Sequence, residues 1–411
     1  MGPNLMRRAP DAAGAALVAA AVLFPFLYTA GNYDYVMHVL ITAYFYAILA
    51  SSWSMLAGYA GQFSFGHMAF MALGAYGTSL FCHYFFLASA PTGLCAEVAV
   101  GGGWVLGVVN AIGVTSTTLT QDCLRQAALV WSTAGEAVQV IKPPVLVGIL
   151  LGTVIGALSG LLIGLLVLRL RAAYLALFTL GFSEIVKAVI SAEIDITRGQ
   201  AGFVAPPLFP NGVNVAGISY GPTDKIPPYF AMLGLLLTCL AILGWLARSR
   251  FGLFVRALRE DEDAAAALGV NTTRYKVLVF TVTCAMAAAA GAVQAHYIGI
   301  VTPNMLFLLQ MSLVVAMAVI GGVENFVAAA IGAILLQIAL ETLRTSFDVA
   351  GYTVDMTVWR LVFFGVLLMV VLRFFRNGLI APFIDRFRRL GLAQETVAKR
   401  RAAPAGKEAA E

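Results

Sequence analysis

The sequence predicts an all-α polytopic membrane protein of about ten transmembrane helices, one of them broken, and three observations carry that prediction. Hydrophobic residues make up 60% of the chain and charged residues only 11%, with a mean hydropathy of +0.87. A soluble domain holds about 25% charged residues. Apolar segments near the roughly 20 residues that a spanning helix needs recur from end to end. The polar/apolar alternation of a membrane β-barrel is absent.

Taken in order, the spans fall at roughly 12–30, 36–57, 65–87, 145–168, 172–192, 229–247, 276–298, 306–321, 325–344 and 357–373. The first follows Arg7 and Arg8, exceeds the usual core of a signal peptide and precedes another span almost at once, so it is read as retained. With the N-terminal segment 1–11 inside, the segments predicted to be cytoplasmic are that one, the turn at Arg169 and Arg171, the loop 248–275 with Lys276 at its edge, and the tail from Arg373. Together they hold 19 of the 26 Lys and Arg residues. This asymmetry follows the positive-inside rule and implies an even number of spans in a transmembrane domain 12–373, with both termini cytoplasmic. It also accounts for the net charge of +5 without a nucleic-acid partner.

Residues 88–144 read as a long extracytoplasmic loop, with Gly101–Gly103 and a candidate short surface helix at Trp104–Gly113. Residues 193–228, containing Pro206-Pro207 and Pro227-Pro228, read as an ordered extracytoplasmic loop with tight turns. The basic tail 374–411 is partly disordered by composition, from about Gln394. Five cysteines (Cys82, Cys95, Cys123, Cys239, Cys284) show no metal-ligand spacing. Only Cys95 and Cys123 share a hydrophilic loop, and a disulfide and two free thiols stand as equal alternatives.

Three stretches concentrate chemistry. Gly58-Tyr59-Ala60-Gly61-Gln62-Phe63-Ser64-Phe65-Gly66-His67 interrupts a long apolar run. A polar, glycine-rich break at membrane depth survives only where protein or a water-lined cavity satisfies the freed backbone groups. Gly58, Gly61 and Gly66 make the break. Gln62, Ser64 and His67 either line a translocation path or serve those backbone groups. No second histidine stands at ligand spacing, so His67 is not expected to bind metal. In the fifth span, Glu184 lies about 18 Å along the helix from Ala172, where a charge costs about 2.5–3.5 kcal/mol. Lys187, three residues on, shares its face and can pair with it. Both are expected to face protein, as an ion pair between helices or as a pathway lining. Glycines at 152, 156, 160 and 164 form a stripe for close helix packing.

The third stretch is Val255–Val270. Its alanines favour a helix, Gly269 is a helix terminator with Asn271 beyond, and Glu260 to Asp263 lie toward the helix start. One reading is a solvated loop helix. The other is a knob whose Ala264 and Ala265 admit a partner's groove, with Arg259, Glu260, Glu262 and Asp263 fixing the register at its rim.

This stretch resembles the cytoplasmic coupling segment of ABC importer permeases, with Glu262, Ala264, Ala265 and Gly269 at the motif positions. Gly58–Gly77, Tyr174–Gly202, Arg250–Tyr275 and Ile320–Ala333 resemble the LivM-type branched-chain amino-acid permease family, in the same order from about Tyr46 to Val371. The resemblance implies a type II-like ABC importer permease fold in a bacterial inner membrane. It implies a second related permease, two cytoplasmic ATP-binding subunits and a periplasmic binding protein that delivers the amino acid. No G-x-x-x-x-G-K-[ST] phosphate loop is present. The chain is therefore expected to be a transport subunit without an ATPase site or cofactor of its own, with ATP on its partners. Two departures bear on substrate. The family's Gly-Gly-x-Gly-Ser-x-x-Gly-Pro is here Gly321-Gly322-Val323-Glu324-Asn325-Phe326-Val327-Ala328-Ala329, and the loop 88–144 is long.

The same machinery carrying urea, short amides or another small organic solute is the alternative cargo. An ion-coupled secondary transporter would show an internal repeat and lone buried acids, and neither is evident. An enzyme or channel finds no HExxH, Ser/His/Asp arrangement or filter motif.

Overall fold

A computed structural model describes residues 9–27, 33–89, 91, 96–108, 139–167, 172–215, 217–344, 347–349, 352–354, 356–375 and 378–382. Helix α1 (Ala9–Leu27) is followed by α2 (Tyr33–Ser54), which runs on through a π-turn at Met55–Tyr59. After residues 60–66, α3 (His67–Tyr84) leads into strands β1 (Phe85–Ala88), β2 (Ala96–Gly101), β3 (Trp104–Val108) and β4 (Val140–Ile141). Helices α4 (Val145–Val167) and α5 (Ala172–Ala192) precede β5 (Phe203–Val204), β6 (Val213–Val215) and β7 (Ile218–Tyr220). Next come α6 (Ile226–Arg248), α7 (Arg250–Glu260), α8 (Glu262–Ala267), α9 (Thr272–Ile298) and β8 (Ile300–Val301). The chain continues through α10 (Leu308–Gly321), α11 (Phe326–Thr342), β9 (Phe347–Val349), β10 (Tyr352–Val354) and α12 (Met356–Phe374).

Helix α9 is central, packing against α3, α4 and α2, while α2 is also flanked by α11 and α6. The glycine stripe of α4 makes part of this possible. A Cβ on Gly152 would stand 2.5 Å from the carbonyl oxygen of Gly74, and one on Gly156 would stand 2.1 Å from Cβ of Ala288. The opposite face of α4 exposes Leu150, Leu158, Leu162 and Leu166, a surface suited to lipid.

Contacts between helices define the two ends of the bundle. Ser54 Oγ donates to the carbonyl of Val323 at 2.6 Å, and Tyr35 OH donates to that of Glu341 at 3.1 Å, so α2 and α11 run antiparallel. His38 Nδ1 meets Tyr297 OH at 2.7 Å, which places the end of α9 beside the start of α2.

A helix stands at each of the ten expected places, yet they are not ten equal spans. Five stretches are long and apolar enough to cross a membrane: Tyr33–Tyr59, Val145–Val167, Tyr174–Ala192, Ile226–Arg248 and Thr272–Ile298. A sixth is added if α10 and α11, bent by 117° at their junction, count as one. The expected eighth span, 306–321, is shortened because its 14-residue helix α10 rises only about 21 Å. Gln310 near its start accepts from Tyr46 OH at 2.8 Å, halfway along α2. Thus the broken helix lies at Gly322–Asn325 and not at residues 58–66. Gly322, at φ +130°, ends α10, and the Asn325 side chain caps α11 by accepting from the amides of Val327 and Ala328.

The long loop carries a four-stranded sheet in the order β2-β3-β1-β4. The surface helix expected at Trp104–Gly113 is the strand β3 over its described part. Gly101–Gly103 all take positive φ, which makes a turn between β2 and β3 rather than a helix start. The same sheet draws Phe85–Leu87 out of the expected third span. Between 193 and 228 the turns appear as expected, with β6 and β7 forming a hairpin. Pro227 and Pro228 belong to the first turn of α6 instead of the loop, where a missing N–H costs nothing. Cys82, Cys239 and Cys284 are buried free thiols. Cys95, Cys123, Arg7, Arg8, Arg169, Arg171 and the tail from 383 lie outside the described residues.

Candidate functional site: the coupling end and the polar break

The stretch 255–270 is two helices, not one. Asp261 leaves the helical region, and its Oδ1 accepts from the amides of Asp263 and Ala264 at 3.0 and 2.9 Å. It therefore caps α8. Glu260 ends α7 and does not begin the short helix. At the far end Gly269 takes φ +83°, its amide reaching Ala266 O while that of Val270 reaches Ala265 O. Both bonds of a Schellman cap are present. Asn271 belongs to the next helix, its Oδ1 accepting from the Arg274 amide at 3.0 Å.

Between those caps α8 projects as a knob. Glu262, Asp263, Ala264, Ala266 and Ala267 are exposed, and Leu268 is 86% exposed. Ala265 turns inward and is buried. An ion pair between Lys276 and Glu262 fastens the knob to α9. Asp261, Leu268 and Lys276 were not singled out from the sequence. An aspartate just ahead of an alanine run was the signal for the first.

The polar break meets this same end. The amide of Gln62 donates to Leu56 O, Trp53 Nε1 donates to Ser64 O at 2.8 Å, and the Phe65 amide donates to Thr179 Oγ1 of α5. Gly61 takes φ +66° and packs against the side chain of Arg259. The break is therefore a reversal between α2 and α3 beside the end of α7, where side chains satisfy its backbone, and not an interruption midway through a span.

The three polar side chains of the break divide. Ser64 serves the backbone, its Oγ accepting from the Gly66 amide at 3.2 Å. Gln62 and His67 are as buried, yet among the described residues neither the Gln62 amide group nor either His67 nitrogen finds a partner. A buried polar group without a partner is costly, and Thr42 Oγ1, Tyr76 OH and Gln294 Oε1 share this condition.

Glu184 and Lys187 pair at 3.1 Å, with side chains 47% and 24% exposed, and Lys187 lies over the ring of Phe307 at 4.8 Å. This chain does not enclose them as expected. They open onto the outside of α5 beside Ile185 and Val189, apart from the break. A cavity of about 530 Å³ lies at the opposite end of the bundle, lined by His38, Asp224, Lys225, His296 and Tyr297 among others. None of the five expected pathway residues lines it.

A bundle of apolar helices long enough to span a membrane, with a bent helix pair and a capped knob projecting from one end, defines a multi-pass membrane protein. The chain belongs to the family described as the permease component of branched-chain amino acid transport systems, whose profile matches residues 35–372. It is 29% identical over 367 residues to the high-affinity branched-chain amino acid transport system permease protein LivM of Salmonella typhimurium, covering 84% of this chain and 72% of that one. Over 156 residues it is 34% identical to the permease LivH of Escherichia coli, covering 38% of this chain and 50% of that one. A probable LivM permease of Methanocaldococcus jannaschii is 24% identical over 219 residues, 52% of this chain and 61% of that one. No solved structure matches.

Proposed function

We propose that the chain is a membrane-spanning subunit of an ATP-driven ABC importer for branched-chain or other hydrophobic amino acids. The knob α8 carries this reading. It is capped at both ends, tethered by Lys276 to α9 and presents small alanines with one exposed leucine, so a partner's groove can close on it and push. Two ATP-binding subunits dock on that cytoplasmic end and hydrolyse the ATP. A periplasmic binding protein delivers the amino acid at the other end. A second, related permease covers the face of α5 that carries Glu184 and Lys187, since two charges at membrane depth are costly against lipid. The positive-inside asymmetry supports this orientation in an inner membrane, with both termini cytoplasmic. ATP is bound by the partners and no cofactor by this chain.

The test is ATP-dependent uptake of labelled leucine in cells with and without the chain, competed by isoleucine, valine, urea and acetamide. Loss on deletion, restoration by the intact gene and competition by isoleucine are expected. Unchanged leucine uptake with loss of another solute's uptake would move the cargo elsewhere and leave the architecture.

A further inference from the structure

Three separate elements meet where α7 ends. Arg259 Nη1 donates to the carbonyl of Gly58, in the π-turn of α2, and its Nη2 binds the Glu324 carboxylate, in the turn between α10 and α11. These two elements also touch each other. Ser54 Oγ donates to Val323 O, and a Cβ on Gly58 would stand 1.8 Å from that same oxygen. Arg256 lies 4.7 Å over the ring of Tyr59, which itself meets Phe326 at 5.9 Å. From the other side Leu379 donates its amide to Ile320 O at 2.7 Å. Arg259 stands two residues before Asp261, the cap of the knob. Its guanidinium is a planar fork that holds two acceptors in fixed directions.

We propose that Arg259 and Glu324 form a strut that passes movement of the knob to the bent α10–α11 pair and the end of α2 together. Glu324 is the acid that departs from the sequence pattern the chain otherwise resembles. Its role is positional, since it acts through Arg259 and touches no substrate. The pair is partly solvated, with side chains 32% and 74% exposed, and such a pair contributes little to stability. Its effect belongs in transmission. The proposal rests on the importer reading above.

The experiment measures leucine uptake and ATP hydrolysis together in vesicles holding the assembled transporter. Glu324→Ala and Glu324→Lys are expected to assemble with the ATP-binding subunits and to hydrolyse ATP, while leucine moved per ATP falls at least fivefold. Arg259→Lys, which keeps the charge but lacks the fork that holds Gly58 O and Glu324 together, is expected to lower the ratio as well. A wild-type ratio in both Glu324 variants, or in Arg259→Lys, overturns the strut. Where Glu324→Lys does not assemble, Glu324→Gln carries the test, because it keeps the shape and removes the charge; a reduced ratio supports the strut and an unchanged one overturns it. Failure of the underlying reading looks different. Wild-type vesicles then take up no leucine, or Ala264→Arg leaves ATP-binding subunits attached. If Ala264→Arg detaches them while the Glu324 series is silent, only the strut falls.

Discussion

Ala264 and Ala265 adjoin in sequence, but only Ala264 is free to meet a partner, because Ala265 is packed under the knob. The two substitutions should therefore separate. Ala264→Arg or Leu268→Glu is expected to leave membrane insertion and thermal stability unchanged and to abolish uptake, read by co-purification of ATP-binding subunits and by transport. Ala265→Arg is expected to lower the melting temperature as well, since it forces a charge into a packed site. Gln62 and His67 make the converse case. Their polar atoms are buried and unpartnered among the described residues, so an apolar replacement of like shape removes a burden on folding. Gln62→Leu is expected to keep or raise the melting temperature while uptake falls. Unimpaired uptake would return Gln62 to a purely structural role. Which residue types gather at the break was legible in the sequence. Which of them are satisfied was not, because a partner for the Gln62 amide group or the His67 ring would have to come from elsewhere in the fold.

Among the elements, α4 shows packing that sequence spacing alone makes visible. Four glycines at every fourth position put one face of a helix against its neighbours, and α4 uses that face on α3 and α9. With Cβ of Ala288 only 2.1 Å from a Cβ placed on Gly156, Gly156→Ala is expected to cost about 1–3 kcal/mol, the usual range for overpacking. Gly156→Leu is expected to reduce the folded amount in the membrane, measured by detergent-solubilised monodisperse yield. A normal yield for the leucine variant would contradict the close approach. Gly269 acts differently. Its φ of +83° closes α8, and a valine there would fray the knob. The expected eighth span, 306–321, starts two residues ahead of α10, just after Thr302, Pro303 and Asn304 interrupt the apolar run. Composition does not reveal that a strand pairing at Ile300–Val301 and a 3₁₀ turn at Pro303–Leu306 take up the residues ahead of it.

On the scale of the whole molecule, the knob, the reversal at 60–66 and the turn at 322–325 gather at one end, and the small sheet and the cavity beside His38 at the other. Single cysteines should report this polarity: Ala264→Cys is expected to react with an impermeant maleimide only after the cytoplasmic side is opened, and Thr223→Cys from the outside. Labelling of both from one side would invalidate the orientation. The membrane class, the approximate places of the apolar helices and the family were written locally, in hydropathy, glycine spacing and short motifs. Those signals depend only on a residue and its near neighbours along the chain. What tertiary structure decided was non-local: the relocation of the broken helix to Gly322–Asn325, the exposure of Glu184 and Lys187 on an outer face, the burial of Ala265, and the meeting of Gly58, Arg259 and Glu324. The last joins residues as much as 266 positions apart (58 to 324). Such contacts follow from how helices of fixed length pack against one another, and no window along the chain contains them.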